Sequence, residues 1–305
     1  MVRQKSRRHD DWRGYEDLAV KDIFSTRRSL DQPVGVPRDF LGSVVEDTHL
    51  AEIASSPLLQ ERLLRDTMPV PSARDREGYY GERHFEFWLS GMSDYLKVKE
   101  SCPELGWAGA RMLDFGGATG RVARHFYAQE NMDEVMICDV NINNIDWVIE
   151  HCPSGLAAFK SSPVPTLPIS DNYFDLVTAF SVFTHMGEYE LAWLYELRRV
   201  LKPGGVLYVS VHNDDTWRTL PATSLYSALM LSEDFRTVYS GKSELRERQV
   251  FEYSSEAVYN SYTFHPNSYI HRVWSKIFKI VHIYPEHHGY QSAVVMKNES
   301  YRAGR

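Results

Sequence analysis

Apolar residues recur along the chain with two different periods, and the change from one to the other divides it. Within residues 82–100 they follow helical spacing, which predicts an amphipathic helix. The positions that carry this pattern are Phe85, Trp88, Leu89, Met92 and Leu96. From Gly106 onward, short apolar runs alternate with helical patterns, an order typical of a doubly wound parallel α/β sheet.

The apolar runs predict the individual elements of this sheet. Strands are expected over 110–115, 134–139, 155–160, 174–180 and 206–211, with two closing strands over 280–283 and 291–296. Helices are expected over 50–64, 141–150, 188–201, 223–231 and 267–278, and Pro57 should divide the first of them. The stretch Lys202-Pro203-Gly204-Gly205 should end a helix as a turn. HIYPEHHGY (282–290) is interpreted as a surface turn rather than a metal site.

Length and charge limit the classes of function. A chain of 305 residues suits one large domain with an extension, here 1–105, followed by an α/β domain over 106–298. A formal net charge of −7 argues against nucleic acid as a partner. No apolar run is long enough for a membrane span. Three cysteines without a C-x-x-C pair favour a reducing cytoplasm, and the basic N-terminus is expected to be a solvated tail.

The loop after the first predicted strand is the candidate ligand site. Gly116-Gly117-Ala118-Thr119-Gly120 follows Asp114-Phe115 and precedes a helix, so backbone N–H groups and a helix N-terminus face the carboxyl edge of the sheet. Asp139 ends the second strand, where a carboxylate can accept both hydroxyls of a ribose. The loop lacks the G-x-G-x-x-G fingerprint of dinucleotide sites. A nucleotide-like ligand and a plain structural turn both remain open from the loop alone.

The order of these features resembles the class I S-adenosylmethionine (SAM) dependent methyltransferases. Asp114, Gly116 and Gly120 match their motif I, an acid followed by G-x-G-x-G, and Ala118 takes the middle glycine position, a mild change of one methyl group. LPISDNYFDLVTAFSVFTHM (167–186) and LRRVLKPGGVLYVSVH (197–212) are similar to the family's fourth-strand and fifth-strand regions. The resemblance covers 106–212, and 263–297 more loosely. It implies a seven-stranded sheet with the last strand antiparallel, and SAM as cofactor.

The resemblance also implies roles for individual residues. Asp139 would bind the ribose hydroxyls, Val140 would lie against the adenine, and Phe180 and Ser181 would lie beneath the transferring methyl group. The family's acid after the third strand is missing, since Ser161-Ser162-Pro163-Val164 stands there, so backbone groups or a serine must contact the adenine. The residues expected along the methionine and ribose are Asp114, Phe115, Gly116, Gly117, Ala118 and Gly120.

Candidate catalytic and acceptor-binding residues lie outside the loop. His185 and His212 follow the fourth and fifth strands and are candidate general bases, although either could have a structural role and an amine acceptor needs no base. Residues 213–262 are the expected substrate cap. Its candidate wall residues are Trp217, Tyr226, Tyr253, Tyr259 and Tyr262, and Tyr79, Tyr80 and Arg83 form a candidate lid, unless their segment merely covers the sheet edge.

The sequence therefore predicts a SAM-dependent methyltransferase for a small-molecule or saccharide acceptor, with oxygen as the expected methylated atom. N- or C-methylation of a natural product, or a SAM-binding module without catalysis, are the alternatives. A nicotinamide-dependent oxidoreductase is disfavoured by the loop spacing. No metal site is expected, and the sequence does not indicate an oligomeric state.

Overall fold

A computed structural model describes residues 26–44, 48–239, 244–252 and 261–299. The predicted N-terminal tail, and Tyr253 and Tyr259 of the predicted cap, lie outside these residues. The main sheet has seven strands in the spatial order β3-β2-β1-β4-β5-β9-β8. Its strands are β1 (Arg111–Phe115), β2 (Glu134–Asp139), β3 (Leu156–Lys160), β4 (Phe174–Ala179), β5 (Leu201–Val211), β8 (Lys279–His288) and β9 (Gln291–Lys297).

The strand directions confirm the predicted doubly wound topology. Strands β1 to β5 pair in parallel, and the last strand, β9, is antiparallel to both β5 and β8. Strand β8 therefore runs in the same direction as β1 to β5, and its carboxyl end lies at the same edge of the sheet. Apolar clusters cover both faces of the sheet, as expected for strands that lie between two layers of helices.

Two strand boundaries differ from the predictions. The Lys202-Pro203-Gly204-Gly205 stretch is a bulge within β5: Leu201 pairs with Phe174 on one side of it, and Val206 pairs with Leu176 on the other. The polar run predicted to be a surface turn continues β8 as far as His288, so that prediction is wrong. An edge strand tolerates polar side chains because much of it faces water.

Six helices of the described residues precede or flank the sheet. They are α1 (Thr48–Ser55), α2 (Pro57–Arg65), α3 (His84–Ser101), α4 (Ala123–Gln129), α5 (Ile142–His151) and α6 (Glu190–Val200). Pro57 divides the first predicted helix as expected, at the N-terminal position that proline favours. Gly91 lets α3 approach the loop before α4, because a Cβ there would collide with the carbonyl oxygen of Arg121.

The segment after β5 forms a small layer with its own core. It comprises α7 (Asp214–Thr219), α8 (Ser224–Leu229), α9 (Glu233–Val238), β6 (Gln249–Glu252) and β7 (Ser261–Phe264). We call it the cap. The predicted helix over 267–278 is shorter, since α10 (Asn267–Val273) gives way to a single 3₁₀ turn. The helices of the described residues are each too short or too polar to span a lipid bilayer.

A buried ion pair holds the N-terminal extension against the sheet domain. The Asp66 carboxylate accepts hydrogen bonds from Arg124 Nε at 2.7 Å and Nη2 at 3.0 Å, and from Trp88 Nε1 at 2.7 Å. The Asp66 and Arg124 side chains are 0% and 3% exposed. Burial opposes ionisation of Asp66, but Arg124 lowers its pKa below the ordinary value.

Replacing Asp66 with asparagine should destabilise the fold by about 3–5 kcal/mol, because Arg124 would remain buried without a counter-charge. Urea unfolding at neutral pH measures this change. Because the folded pKa is lowered, the stabilisation is present above the ordinary carboxyl pKa of about 3.9 and is lost as pH falls through the lower folded value.

The matched control is Asp171→Asn. Its carboxylate is 69% exposed and pairs with Arg199 at the surface, so a change of about 1 kcal/mol or less is expected. Equal effects of the two substitutions would contradict the assignment of Asp66 as the anchor of the extension.

Candidate functional site

A cavity of about 1170 Å³ lies at the carboxyl ends of β1, β2 and β4. Pockets for single drug-sized ligands range over roughly 300–1,000 Å³, so this one has space for a nucleotide-like ligand and a second molecule. The sheet edge and the loops after its strands form the floor. The extension contributes Arg76, Glu77, Tyr79 and Phe87 to the walls, and the cap contributes a further set that includes Arg248.

The glycine loop is held by the second strand beneath it. Gly116 and Gly117 donate backbone hydrogen bonds to the carbonyl of Cys138, at 2.8 and 3.2 Å. Gly116 has a φ of 71°, and a Cβ there would collide with the Val182 side chain. Only glycine meets both conditions without strain. The loop can therefore follow the cavity floor closely.

Asp114 lies under the same loop. Its carboxylate is 2% exposed and accepts a hydrogen bond from Thr178 Oγ1 at 2.8 Å. A Cβ on Gly117 would approach it to 2.8 Å. Burial raises the pKa of Asp114 to about 6, and the Thr178 hydrogen bond offsets this only in part. Asp114 lines the cavity and supports the loop from below.

Asp139 joins two loops at the end of β2. Its carboxylate oxygens accept hydrogen bonds from the Ala118 N–H at 3.0 Å and the Asn141 N–H at 2.8 Å. Burial raises the pKa of Asp139 to about 6 despite these donors. A carboxylate has about four acceptor positions, so each oxygen can accept a ligand hydroxyl as well. The donors preorganise Asp139 for a vicinal diol.

Ala118 carries a larger cost than its one extra methyl group suggests. Its φ is 47°, in the left-handed region, where a residue with a Cβ is strained by about 1–2 kcal/mol. The expectation of a mild change holds for volume but not for backbone conformation. The backbone N–H of Ala118 donates the hydrogen bond to Asp139. The loop thus keeps the geometry that glycine would adopt freely.

The side of the cavity beyond Asp139 is built from three separate segments. Val140, Ser161 and Pro163 line it, and the contact of a serine or backbone groups with the adenine stays a prediction. No sequence pattern indicated Glu77. Its Oε1 accepts hydrogen bonds from Asn141 Nδ2 at 2.8 Å and Asn144 Nδ2 at 3.0 Å. Glu77 comes from the loop of the extension, and only the neighbouring Gly78 and Gly81 mark a turn there.

The predicted lid is divided by the structure. Tyr79 lines the cavity, and the Arg121 guanidinium lies 5.6 Å from its ring centroid. Tyr80 packs edge-on against Tyr79 at 4.8 Å, and Arg83 lies over Tyr80 at 5.3 Å, so these two residues form an outer layer that does not reach the cavity. Arg76 was not anticipated; it fixes the loop by donating to the carbonyls of neighbouring residues.

Phe180 and Ser181 line the cavity at the end of β4, as predicted. Ser181 has a φ of 56°, and its N–H donates to Ser210 Oγ at 2.7 Å. Gln291 Nε2 donates to Ser181 Oγ at 3.0 Å. A strained non-glycine residue that surrounding hydrogen bonds hold in place is typical of functional sites. Gly120, a predicted cofactor residue, does not line the cavity but supports the loop with a φ of 82°, whereas Val182, which was not predicted, does line it.

The two predicted bases have different positions. His185 lines the cavity, and its Nδ1 lies 2.9 Å from the Ser261 carbonyl oxygen. Burial lowers its pKa. His212 is 1% exposed, is packed between Phe264 and Tyr290, and does not line the cavity. Strand β7 covers the end of β5, so His212 is not placed to take a proton from an acceptor.

The predicted wall residues of the cap also differ in position from expectation. Trp217 is 3% exposed and forms the centre of the cap's own core, with Phe264 at 5.1 Å and Tyr239 at 5.0 Å. Tyr226 packs against the same core, and Tyr262 lies 5.5 Å from the His185 ring. The cap side chains that do line the cavity are Asp234, Arg248, Val250, Glu252 and Ser261.

A linked group of polar side chains that the sequence did not suggest lies beside Phe180. His288 lines the cavity, and its Nδ1 is 2.9 Å from Asp94 Oδ1. Asp94 Oδ2 is 2.7 Å from Arg121 Nη1. No group of three or more histidine, cysteine, aspartate or glutamate side chains within the described ranges is arranged to hold a metal ion. The three cysteines are unpaired.

A family described as "Methyltransferase domain" matches residues 113–209, the segment that contains the glycine loop, Asp139 and the end of β4. The chain contains a class I SAM-dependent methyltransferase domain. The seven-stranded sheet with an antiparallel last strand agrees with this assignment. The cofactor of this family is SAM, and the donor set of the site, with a diol-binding carboxylate and a side-chain-poor loop, fits it.

Curated relatives match the methyltransferase domain over part of their length. The ubiquinone/menaquinone biosynthesis C-methyltransferase UbiE of Pseudomonas paraeruginosa is 30% identical over 160 residues, 50% of this chain and 59% of that protein. The UbiE protein of Cellvibrio japonicus is 28% identical over 156 residues, 49% of this chain and 60% of the relative. The chain thus spans less than two thirds of the curated relatives it matches.

Among solved structures, a SAM-dependent methyltransferase from Aquifex aeolicus is similar to 67% of this chain and 92% of its own. The identity is 16% and the TM-score 0.43.

Replacing Asp139 with alanine should weaken SAM binding about tenfold, or roughly 1–3 kcal/mol, because the ribose would lose a charged acceptor and the Ala118 N–H its partner. Isothermal titration calorimetry measures the affinity. Asp146→Ala is the control. Asp146 lies on α5, the helix that follows Asp139, but it pairs with Arg27 and does not line the cavity. Unchanged affinity in a folded Asp139 variant would remove this residue from the site.

Two substitutions in the glycine loop should differ clearly in their effect on the stability of the fold. Gly116→Ala should cost on the order of 2 kcal/mol or more of stability, because it adds left-handed strain and a collision with Val182. Ala118→Gly relieves strain of about 1–2 kcal/mol but adds about 0.4–1 kcal/mol of unfolded-state freedom. Its stability should therefore change by about 1 kcal/mol or less, measured by thermal denaturation.

Proposed function

We propose that the protein is a SAM-dependent methyltransferase that acts on a small aromatic acceptor carrying an ionisable hydroxyl group. The observation that carries the proposal is that one cavity is lined both by the glycine loop with Asp139 and by a set of aromatic side chains. When bound, SAM supplies a methyl group on a sulfonium sulfur. The cavity of about 1170 Å³ has room for an acceptor beside it.

The aromatic part of the lining supports a flat acceptor. Phe87, Phe180, Tyr189 and Trp193 line the cavity. Aromatic faces stack on flat rings and contribute apolar area, and the polar cap side chains Asp234, Arg248 and Glu252, which also line the cavity, can hold the hydroxyl group of such an acceptor. We therefore favour an aromatic small molecule over the saccharide that the sequence left open.

The relatives bear on the atom that is methylated. Both are C-methyltransferases, whereas oxygen was the expectation from sequence. An ionised hydroxyl on an aromatic ring makes its own oxygen and the adjacent ring carbons nucleophilic, so one acceptor class accounts for either outcome. We propose carbon as the favoured atom. The cytoplasmic location and the substrate role of cap 213–262 and extension 1–105 remain predictions.

The chain's own residues have three tasks in such a reaction. Asp139 and the glycine loop hold the cofactor, the strained Ser181 and Phe180 shape the floor at the methyl group, and the extension and cap exclude water. A neutral thioether leaves, so alignment of acceptor, carbon and sulfur is the main requirement. Proton removal from the acceptor adds a need for a base.

Calorimetric titration with SAM, S-adenosylhomocysteine and NAD tests the cofactor. Micromolar binding of the first two and no binding of NAD are expected, because Asp139 and the loop suit an adenosine with an attached amino acid. Tritium-labelled SAM with catechol, naphthalenediol and glucose then tests the acceptor class. Label should appear in the two aromatic compounds and not in glucose.

Three outcomes would contradict the proposal in different ways. Binding of NAD alone would overturn the cofactor assignment. Label in glucose and not in the aromatic compounds would overturn the acceptor class. Tight SAM binding with no transfer to any acceptor would favour a SAM-binding module without catalysis.

A further inference from the structure

His288 lines the cavity from the end of β8, whereas His185, the other histidine of the lining, follows β4. His288 ends β8, which runs parallel to β4, so the carboxyl ends of both strands meet at the ligand edge of the sheet. Its ring centroid is 5.2 Å from that of Phe180, and its side chain is 12% exposed. The residue lines the cavity next to the predicted site of methyl transfer.

The orientation of the His288 ring is set by Asp94 on α3. The Nδ1 atom is 2.9 Å from Asp94 Oδ1, and the Asp94 side chain is 5% exposed. Burial alone would raise the pKa of Asp94, but His288 and Arg121 hold it at about 2. An ionised carboxylate only accepts hydrogen bonds, so Nδ1 carries the hydrogen. The lone pair of the neutral ring is then on Nε2, on the opposite side from Asp94.

We propose that His288 is the general base that takes the acceptor's proton, and that Asp94 is the residue that positions it. This inference rests on the proposed function, because it assigns the proton acceptor of the same reaction. It replaces His212, which the structure buries away from the cavity, and competes directly with His185.

The proton transfer balances with the methyl transfer. The hydroxyl proton of the acceptor goes to His288 Nε2, and the electron pair that it leaves makes the oxygen or an adjacent ring carbon nucleophilic. That atom forms the new bond to the methyl carbon as the carbon–sulfur bond breaks, and the bond's electrons stay on the neutral sulfur. The imidazolium then releases its proton to solvent; after attack at carbon, the ring carbon also loses its hydrogen as a proton.

His288 is better suited than His185 to hold the proton. The charge of a His288 imidazolium would be compensated by Asp94, whereas His185 Nδ1 faces the neutral carbonyl of Ser261. Burial also lowers the pKa of His185, which weakens it as a base. A carboxylate that fixes the tautomer and stabilises the imidazolium is a recurring arrangement for histidine bases.

The charged and titratable groups around His288 come from four segments of the chain. Asp94 on α3 is shared with Arg121 from the loop after β1, at 2.7 Å. Tyr79 of the extension stacks on Arg121, and burial raises its pKa, so it stays neutral. His287, the neighbour on β8, turns toward Ser101, and burial lowers its pKa. Asp94 is therefore the charged group in direct contact with His288, and it also pairs with Arg121.

The kinetic test compares His288→Gln with His287→Gln and His185→Gln, using catechol and nitrocatechol as acceptors. His288→Gln should lower kcat for catechol by about 100-fold, and it should abolish the fall in rate at low pH. The loss should be much smaller for nitrocatechol, which is already largely ionised at neutral pH. His287→Gln, on the same strand but outside the cavity, should retain full activity.

S-adenosylhomocysteine binding by calorimetry separates this inference from the proposed function. Each variant should bind it within about threefold of the wild type, because His288 faces the acceptor side. If His288→Gln does not bind it, His288→Asn takes its place. Full activity and an unchanged pH profile in a binding-competent variant would overturn the proposal. So would loss of the low-pH limb in His185→Gln alone.

Nitrogen-15 NMR of histidine-labelled protein provides a readout that needs no acceptor. The His288 ring should be neutral at pH 8 with hydrogen on Nδ1, and Asp94→Asn should give a mixture of the two tautomers. A ring that stays doubly protonated at pH 8, or hydrogen on Nε2, would overturn the base assignment. If neither aromatic probe is methylated, the proposed acceptor class fails, and the NMR result still decides the state of His288.

Discussion

Two buried carboxylates that form no ion pair within the described residues set the geometry at the carboxyl edge of the sheet. Asp114 and Asp139 are held by backbone and hydroxyl donors, and the glycine loop takes its shape from these bonds. Burial raises both pKa values to about 6. Each group therefore favours folding fully below its unfolded value of about 3.9, and that contribution is lost as pH rises through about 6. At neutral pH, the two carboxylates of the candidate cofactor site therefore reduce the stability of the fold.

The remaining structure compensates with carboxylates that do have cationic partners. Asp66 with Arg124 fixes the extension, and Asp94 with Arg121 joins α3 to the loop after β1. Glu190 joins α6 to Arg248 of the cap and to His265, and these neighbours hold its pKa at about 2 although burial opposes ionisation. Each pair connects segments far apart in the sequence. The walls of the cavity are thus fixed by ion pairs, and its floor by backbone donors.

This difference explains which parts the sequence could predict. The glycine loop, the acid at the end of β2 and the alternation of strands and helices follow from local patterns of glycine, acids and apolar runs. The predicted doubly wound sheet is confirmed, and the ligand roles of the loop and Asp139 stay predictions. His212 illustrates the opposite case: its place at a strand end predicts access to the ligand edge, but strand β7 pairs there and covers it. Glu77 and Asp94 have no local pattern at all, because their partners come from distant segments.

The same division limits what the relatives can say about the acceptor. The family match ends at residue 209 and begins at 113, so it contains the glycine loop, Asp139 and Phe180. Asp94, Arg248 and His288 lie outside it, as do the extension and the cap. The proposed cofactor residues therefore lie within the matched segment, whereas the proposed acceptor lining combines residues of that segment, such as Trp193, with residues outside it, such as Arg248 and His288. An acceptor known for a relative would apply to this chain only if the residues outside the matched segment had the same chemistry. In this chain, one pair of those outer residues, His288 with Asp94, forms the proposed proton acceptor.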